Sequence, residues 1–414
     1  MKRAFASCLA TLALVVAVAA TPPLAGQSSD ARALGVHRDA IVIDGHIDTM
    51  SASHPSGWKF EERHAPPSRE QPGGISVDLP RMREGGFDGA FFSVYVAGTV
   101  TGPRAVSEAR RQFDALHALV TRLSADLSLC TTAAEVRAAH RAKKIAVLIG
   151  IEGGHMINND LAVLDDLARR GARYLTLTHS VNTDWADSSG DKPAHNGLTP
   201  FGRQVIAELN RLGVMVDVSH VSDKTFWDVL EVSQSPVIAS HSSCRALCGH
   251  PRNMTDEMIK ALAAKGGIIQ INFYDGFLDQ ELYLKQKAIE PEIEKTRLEV
   301  MQKFPGPEND RKRAEAMTAL YRRVRALGTI SWEKIIDHID HAVKLVGADH
   351  VGLGSDFDGA SMPAGMEDCT MLPKITAALL AKGYSEKDVR NILGENVLRV
   401  MEANEKVARR LQGR

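Results

Sequence analysis

Eight short runs of β-branched and apolar residues recur along the chain, with segments of helical periodicity between them, and this rhythm limits the fold more than any other feature. The runs are AIVIDGH (40–46), GAFFSVYV (89–96), IAVLIGIEG (145–153), ARYLTLTH (172–179), VMVDVSH (214–220), PVIASH (236–241), GIIQINF (267–273) and HVGLGSD (350–356). LAVLDDLARRG (161–171), TPFGRQVIAELNRLG (199–213), DEMIKALAAKGG (256–267) and WEKIIDHIDHAVKLVG (332–347) are the clearest of the helical segments. Strands that read as near-continuous apolar runs and alternate with helices belong to a parallel sheet covered on both faces. Eight such units is the number that closes a (β/α)8 TIM barrel, so the expected fold class is α/β of that type. A doubly wound open sheet is the alternative. No Gly-rich dinucleotide fingerprint follows the first run and no Walker loop is present, which removes the commonest reason to prefer it.

Two stretches break the rhythm. Residues 51–75 form a polar, Pro-rich excursion after the first run, and residues 276–330, charged and helical, predict a helical insertion before the eighth strand. A charge-rich insertion of that kind is ordinarily a solvated face or an oligomer contact.

The 414 residues carry a formal net charge of −1, with 44% hydrophobic and 24% charged residues, so nothing in the composition points to nucleic acid. Lys2 and Arg3 precede the apolar stretch LATLALVVAVAA (9–20), and small residues and prolines follow it. That pattern predicts a signal peptide over residues 1–26, cleaved after Ala19, Ala20 or Ala25, and therefore a periplasmic or secreted protein. The apolar core is shorter than the roughly 20 residues of a spanning helix. PLAGQ places Gln27 where a lipoprotein would need its cysteine, and the basic end KVARRLQGR offers no tail for lipid exchange, so no membrane anchor is expected after cleavage. Residues 27–414 are then expected to form a single (β/α)8 domain. Cys130, Cys244, Cys248 and Cys369 would remain, enough for disulfides but too sparse for a disulfide framework.

In a parallel barrel, function sits at the carboxyl ends of the strands. The first run ends in His46 and Asp48, the third in Glu152, the fourth in His179, the fifth in His220, the sixth in His241 and the eighth in Asp356. Taken singly, a His or Asp after a strand is more often a helix cap or turn residue than a ligand. Gathered on one rim, they would leave several charges and imidazoles unpaired in a half-buried site unless a metal held them. Residues i and i+2 of a strand share a side, so His46 and Asp48 can serve one ion, with Gly45 giving the backbone room to bend. Gly153 and Gly154 free the backbone after Glu152, so that its carboxylate could bridge two ions. Imidazole and carboxylate ligands without thiolate suit zinc, with Mn, Co or Fe also open.

DGHID, IEGGH, LTHSVNTDWADS, VDVSH, SHSSCRALCGHPRN and LGSDFDG, in this order and spacing, resemble the membrane dipeptidase (renal dipeptidase) family, peptidase family M19 of the amidohydrolase superfamily. The resemblance spans residues 36–403 and implies a (β/α)8 barrel of metal-dependent hydrolase type with two zinc ions. Carried onto this chain, it makes His46 and Asp48 ligands of one zinc, His220 and His241 ligands of the other, and Glu152 the bridge, together with a water or hydroxide. It also implies that His179 contacts the scissile carbonyl, that Arg252 binds the substrate's terminal carboxylate, and that Asp356 handles the proton. His155 is a supporting neighbour with no assigned role. The chemistry is coherent, since zinc lowers the pKa of water from about 16 towards about 7 and an arginine fork matches a carboxylate.

The expected function is a zinc-dependent dipeptidase that attacks the amide bond of dipeptides with a metal-bridging hydroxide, C-terminal D-residues included. The expected partners are a dipeptide substrate and a second copy in a homodimer. Two alternatives stay open at this point: another amidohydrolase acting on N-acyl amino acids or lactones, and a solute-binding barrel without chemistry. No disulfide pairing is implied for the four cysteines.

Overall fold

The computed structural model describes residues 24–51, 57–68, 74–306 and 309–413. Residues 1–23, most of the expected signal segment, lie outside the described residues, as do parts of the 51–75 excursion. The described residues begin with a helix, Leu24–Asp39.

Nine strands follow: β1 Ile43–Ile47, β2 Gly89–Tyr95, β3 Leu127–Leu129, β4 Ile145–Glu152, β5 Ala172–Thr176, β6 Met215–Asp217, β7 Ile238–Ser242, β8 Ile268–Ile271 and β9 Val351–Leu353. Every pairing is parallel, in the order β2-β1-β9-β8-β7-β6-β5-β4, and a β2–β4 ladder closes the barrel. All eight runs read from the sequence are barrel strands. β3 is an addition that the sequence reading did not anticipate. It pairs with the first residues of β4, Leu127 opposite Ile145, and β5 takes over that edge from Ile149 onward. Its three residues, LSL, are too short to show a period.

The apolar runs are buried on both faces, as a covered parallel sheet requires; all eight residues of β4 are buried. Outward-facing Val147, Ile149 and Ile151 join the large core beneath the helices, whereas Ala146 and Leu148 belong to the barrel interior with Phe91, Tyr174, Met215 and Ile238. Met401 and Val397 of the last helix, Asn396–Leu411, pack against that interior set. Period two therefore sends Ala146, Leu148, Gly150 and Glu152 inward in one column, with the carboxylate at its carboxyl end.

The helices obey local signals. Thr199 caps Pro200–Leu212 through a side-chain bond to the Gly202 N–H, Pro200 stands in the first turn, and Gly213 closes the helix at φ 70°. The insertion before β9 is helical as expected, with Gln280–Lys303 and Asp310–Ala326. Among the described residues no helix is long and apolar enough to cross a membrane. Cys130, Cys244, Cys248 and Cys369 are buried free thiols, so Cys244 and Cys248 do not pair.

Candidate metal centre and active site

Glu152 stands at the centre of the barrel mouth. Its Oε2 lies 3.7 Å from His46 Nε2, which is 3.4 Å from Asp48 Oδ2. Its Oε1 lies 3.0 Å from His220 Nε2, 3.4 Å from His241 Nε2 and 3.8 Å from His179 Nε2. The two oxygens thus face two separate groups of nitrogen and oxygen donors, which is the arrangement of a bridging carboxylate. Asp356 joins the His46 and Asp48 side of the cluster. All seven rim residues read from the sequence are brought together.

Local irregularities aim these side chains. The β1–β2 register shifts between Asp44 and Ile47, and the β7–β8 register between Ala239 and Ser242, so both strands that carry a buried histidine are bulged at it. His220 (φ 70°), Asp356 (φ 64°) and Asp358 (φ 68°) sit in the left-handed region, where a non-glycine residue is strained and is held by its surroundings. Gly45 lies within the irregular stretch of β1. It also supplies space, because a Cβ there would strike the Gln270 side chain and the Ser240 carbonyl. After Glu152, Gly153 does adopt a positive φ of 117°.

The match to the membrane dipeptidase (peptidase family M19) model runs over residues 30–414. The chain belongs to that family. Among similar proteins, Dipeptidase verJ of Clonostachys rogersoniana is 34% identical over 393 residues, covering 92% of this chain and 88% of its own. The probable dipeptidase PvdM from Pseudomonas aeruginosa has a similar structure, with a TM-score of 0.77 and 27% identity over 92% of this chain and 100% of that one. A metallopeptidase from Rhodobacter sphaeroides, solved with a phosphinate mimic of the dipeptide L-Ala-D-Ala, gives a TM-score of 0.69 at 28% identity, covering 88% of this chain and 100% of its own.

The donor set of this family member fits metal ions. His46 Nε2 is buried without a hydrogen-bond partner, and the Nε2 atoms of His220 and His241 face each other at 2.8 Å. Burial, reinforced by the positive charge of Arg252, holds His220 and His241 well below the usual imidazole range, so both present lone pairs. Burial also pushes Glu152 up to about 8, against the pull of His46, with Asp48 and Asp356 adding to the rise. Burial works against charging His46, yet Glu152 and Asp48 together lift it to about 10. A divalent cation answers the same crowded carboxylates with its own charge. Nitrogen and oxygen donors without a thiolate are zinc-type ligands.

A cavity of about 290 Å³ opens beside the cluster, and Tyr95, His179, Asp356 and Asp358 are among its walls. Burial, then the nearby Arg252, lowers His179 to about 4, leaving a neutral ring toward the cavity. Arg252 is buried behind this wall, with Nη2 donating to the His241 carbonyl at 3.1 Å and Nη1 to Ser242 Oγ at 3.4 Å. Its Nε is buried without a partner, and the side chain is not among the residues that line the cavity. His155 lies beside Gly153, bonds the Val96 backbone and keeps its own Nε2 unpaired.

The rim list from the sequence omitted the second and seventh runs, and both contribute. Tyr95 ends β2 and packs edge-on against His179 at 4.8 Å. Asn272 follows β8; its Oδ1 accepts from the Tyr274 N–H at 2.5 Å, which turns its Nδ2 to Asp356 Oδ2 at 3.0 Å. Asp358 ties the mouth together by accepting from Thr49 Oγ1 and from the Ser76 N–H, each at 2.6 Å. Inspecting the last two residues of every run, typical metal ligand or not, would have found Tyr95 and Asn272.

One barrel position predicts a stability effect. A Cβ on Gly150 would collide with the Tyr174 phenol in the adjacent strand, inside a closed interior. Gly150→Ala should therefore destabilise the protein by about 1–3 kcal/mol, as overpacking does. Chemical denaturation measures this, and an unchanged midpoint would mean that the phenol moves aside freely.

Proposed function

We propose that this dipeptidase-family chain is a two-zinc enzyme that hydrolyses the single amide bond of dipeptides, including those ending in a D-residue. The observation that carries the reading is Glu152, whose two oxygens divide the donors into a His46–Asp48 pair and a His220–His241 pair. Those five residues would hold the ions. When bound, the ions supply Lewis-acid polarisation of the carbonyl and hydroxide at neutral pH.

The remaining steps fall to the chain itself. Asp356 lines the cavity with one oxygen held by Asn272, positioned to take a proton and pass it to the leaving amine. His179, which also lines the cavity, donates toward the oxyanion that develops at the carbonyl. The unspent donors of Arg252 bind the substrate's terminal carboxylate, which limits substrates to those whose C-terminus lies one residue beyond the cut bond. The D-residue is supported by the Rhodobacter sphaeroides relative, which was solved with a mimic of L-Ala-D-Ala. Export through the N-terminal segment belongs to the same proposal, and N-terminal sequencing of protein from the extracytoplasmic fraction tests it.

A panel of L,L and L,D dipeptides, N-acetyl amino acids and lactones, offered to the zinc-loaded protein, tests the activity. Turnover should concentrate on the dipeptides, with L,D members cleaved. Clear turnover of another class without any dipeptide cleavage contradicts the proposal. In the same assay Arg252→Ala should lower kcat/KM for free dipeptides about 10- to 100-fold, the range for losing hydrogen bonds to a charged group. Dipeptides amidated at the C-terminus should be nearly unaffected; an equal loss on them would remove the carboxylate role.

A further inference from the structure

Beneath the metal donors the barrel interior turns polar, and the polar residues form a connected chain. Asp217, at the end of β6, is fully buried. Its Oδ1 accepts from the N–H groups of Ser219 at 3.0 Å and Ser240 at 2.9 Å. Its Oδ2 accepts from the hydroxyls of Thr176 at 2.5 Å and Ser240 at 2.6 Å. Ser240, in β7, also places its oxygen 2.8 Å from Nδ1 of His241. Tyr174, in β5, brings its hydroxyl to 2.7 Å from Nδ1 of His46 and interacts with Ser240 as well.

Counting hydrogens fixes the direction of each bond. A serine hydroxyl has one hydrogen, and Ser240 gives it to the Asp217 carboxylate, which can only accept. The Ser240 oxygen must then accept from His241, so the hydrogen of that imidazole sits on Nδ1 and its lone pair on Nε2, the atom 3.4 Å from Glu152. The Ser240 oxygen, its hydrogen spent on Asp217, is open to the phenol hydrogen of Tyr174, and a phenol so engaged accepts from Nδ1 of His46 and bares the His46 Nε2, which has no hydrogen-bond partner.

We propose that Asp217, acting through Ser240 and Tyr174, fixes the metal-binding tautomer of one histidine in each donor pair and is a positioning residue for both metal sites. Without acceptors at Nδ1, each ring is free to carry its hydrogen on Nε2 and must give that arrangement up before it can ligate. The inference rests on the two-zinc reading above and deepens it. Ser240 serves both histidines, His241 directly and His46 through Tyr174, whereas Tyr174 serves His46 alone. Thr176 donates to the same Asp217 oxygen but bonds neither histidine.

Zinc titration of the metal-free protein against a chromophoric chelator tests this, with the thermal midpoint of each metal-free variant as the check on folding. Tyr174→Phe should weaken one of two zinc ions by about 10- to 100-fold and spare the other; Ser240→Ala should weaken both, in the range for lost outer partners of ligands. Thr176→Val should leave both affinities at the wild-type value. Unchanged zinc affinities in Tyr174→Phe or Ser240→Ala, or a loss in Thr176→Val as large as in Ser240→Ala, would overturn the relay. A wild-type protein that takes up fewer than two zinc ions contradicts the two-zinc reading itself, a result the titration separates from failure of the relay alone.

Discussion

Asp356→Asn is expected to lower kcat by about 10²- to 10⁴-fold, the range that a positioned general acid and base contributes, while the variant still binds two zinc ions. The side chain is held in place by several independent features. Its backbone sits at φ 64°, its Oδ2 takes the Asn272 amide at 3.0 Å, and a Cβ on Gly359 would collide with both the Asp356 and Asp48 carboxylates. Glycine at 359 is thus what lets the chain fold back over the two acids. Asparagine keeps the size and an oxygen for Asn272 but cannot carry the proton. Steady-state kinetics with metal analysis on the same sample checks both halves of the expectation. Wild-type turnover in the variant would remove the proton-transfer role.

Glu152→Gln should have the larger effect. The carboxylate touches His46 on one side and His179, His220 and His241 on the other, so one substitution removes the anionic donor from both groups at once. Glutamine keeps the shape but offers one oxygen and an amide that must point its hydrogens at imidazole lone pairs or at a cation. Zinc content after dialysis should fall from two per chain toward zero, and turnover should fall on the order of 10⁴-fold or more as the source of hydroxide is lost. A variant that retains both ions would show that the histidines and Asp48 suffice. Asp356→Asn and Glu152→Gln therefore separate proton transfer from metal retention.

The barrel was legible in the sequence because a covered parallel strand has to be apolar on both faces, and β4, with every residue buried, shows this most plainly. β3 was not legible, since three residues beside the start of β4 carry no periodic signal. The rim was legible for a related reason. Where an apolar run stops at the mouth, a histidine or carboxylate stands out, and His46, Asp48, Glu152, His179, His220, His241 and Asp356 do converge. Asn272 and Tyr95 did not stand out because neither is a typical metal ligand. The polar floor was hidden still more deeply. Asp217, Ser240 and Tyr174 read as ordinary strand residues, and only the closed barrel shows that the Tyr174 and Ser240 hydroxyls meet the far nitrogens of two histidines while the Asp217 carboxylate holds Ser240. Gly45 was read as giving the backbone room to bend; that the space it leaves also admits the Gln270 side chain was not legible.

The central claim is that Glu152 lies between two zinc ions. Anomalous diffraction at the zinc edge from crystals of the zinc-loaded protein tests it most directly. The account predicts two peaks flanking the Glu152 carboxylate, one beside His46 and Asp48 and the other beside His220 and His241. A single peak, or peaks that leave either pair without an ion, would contradict it.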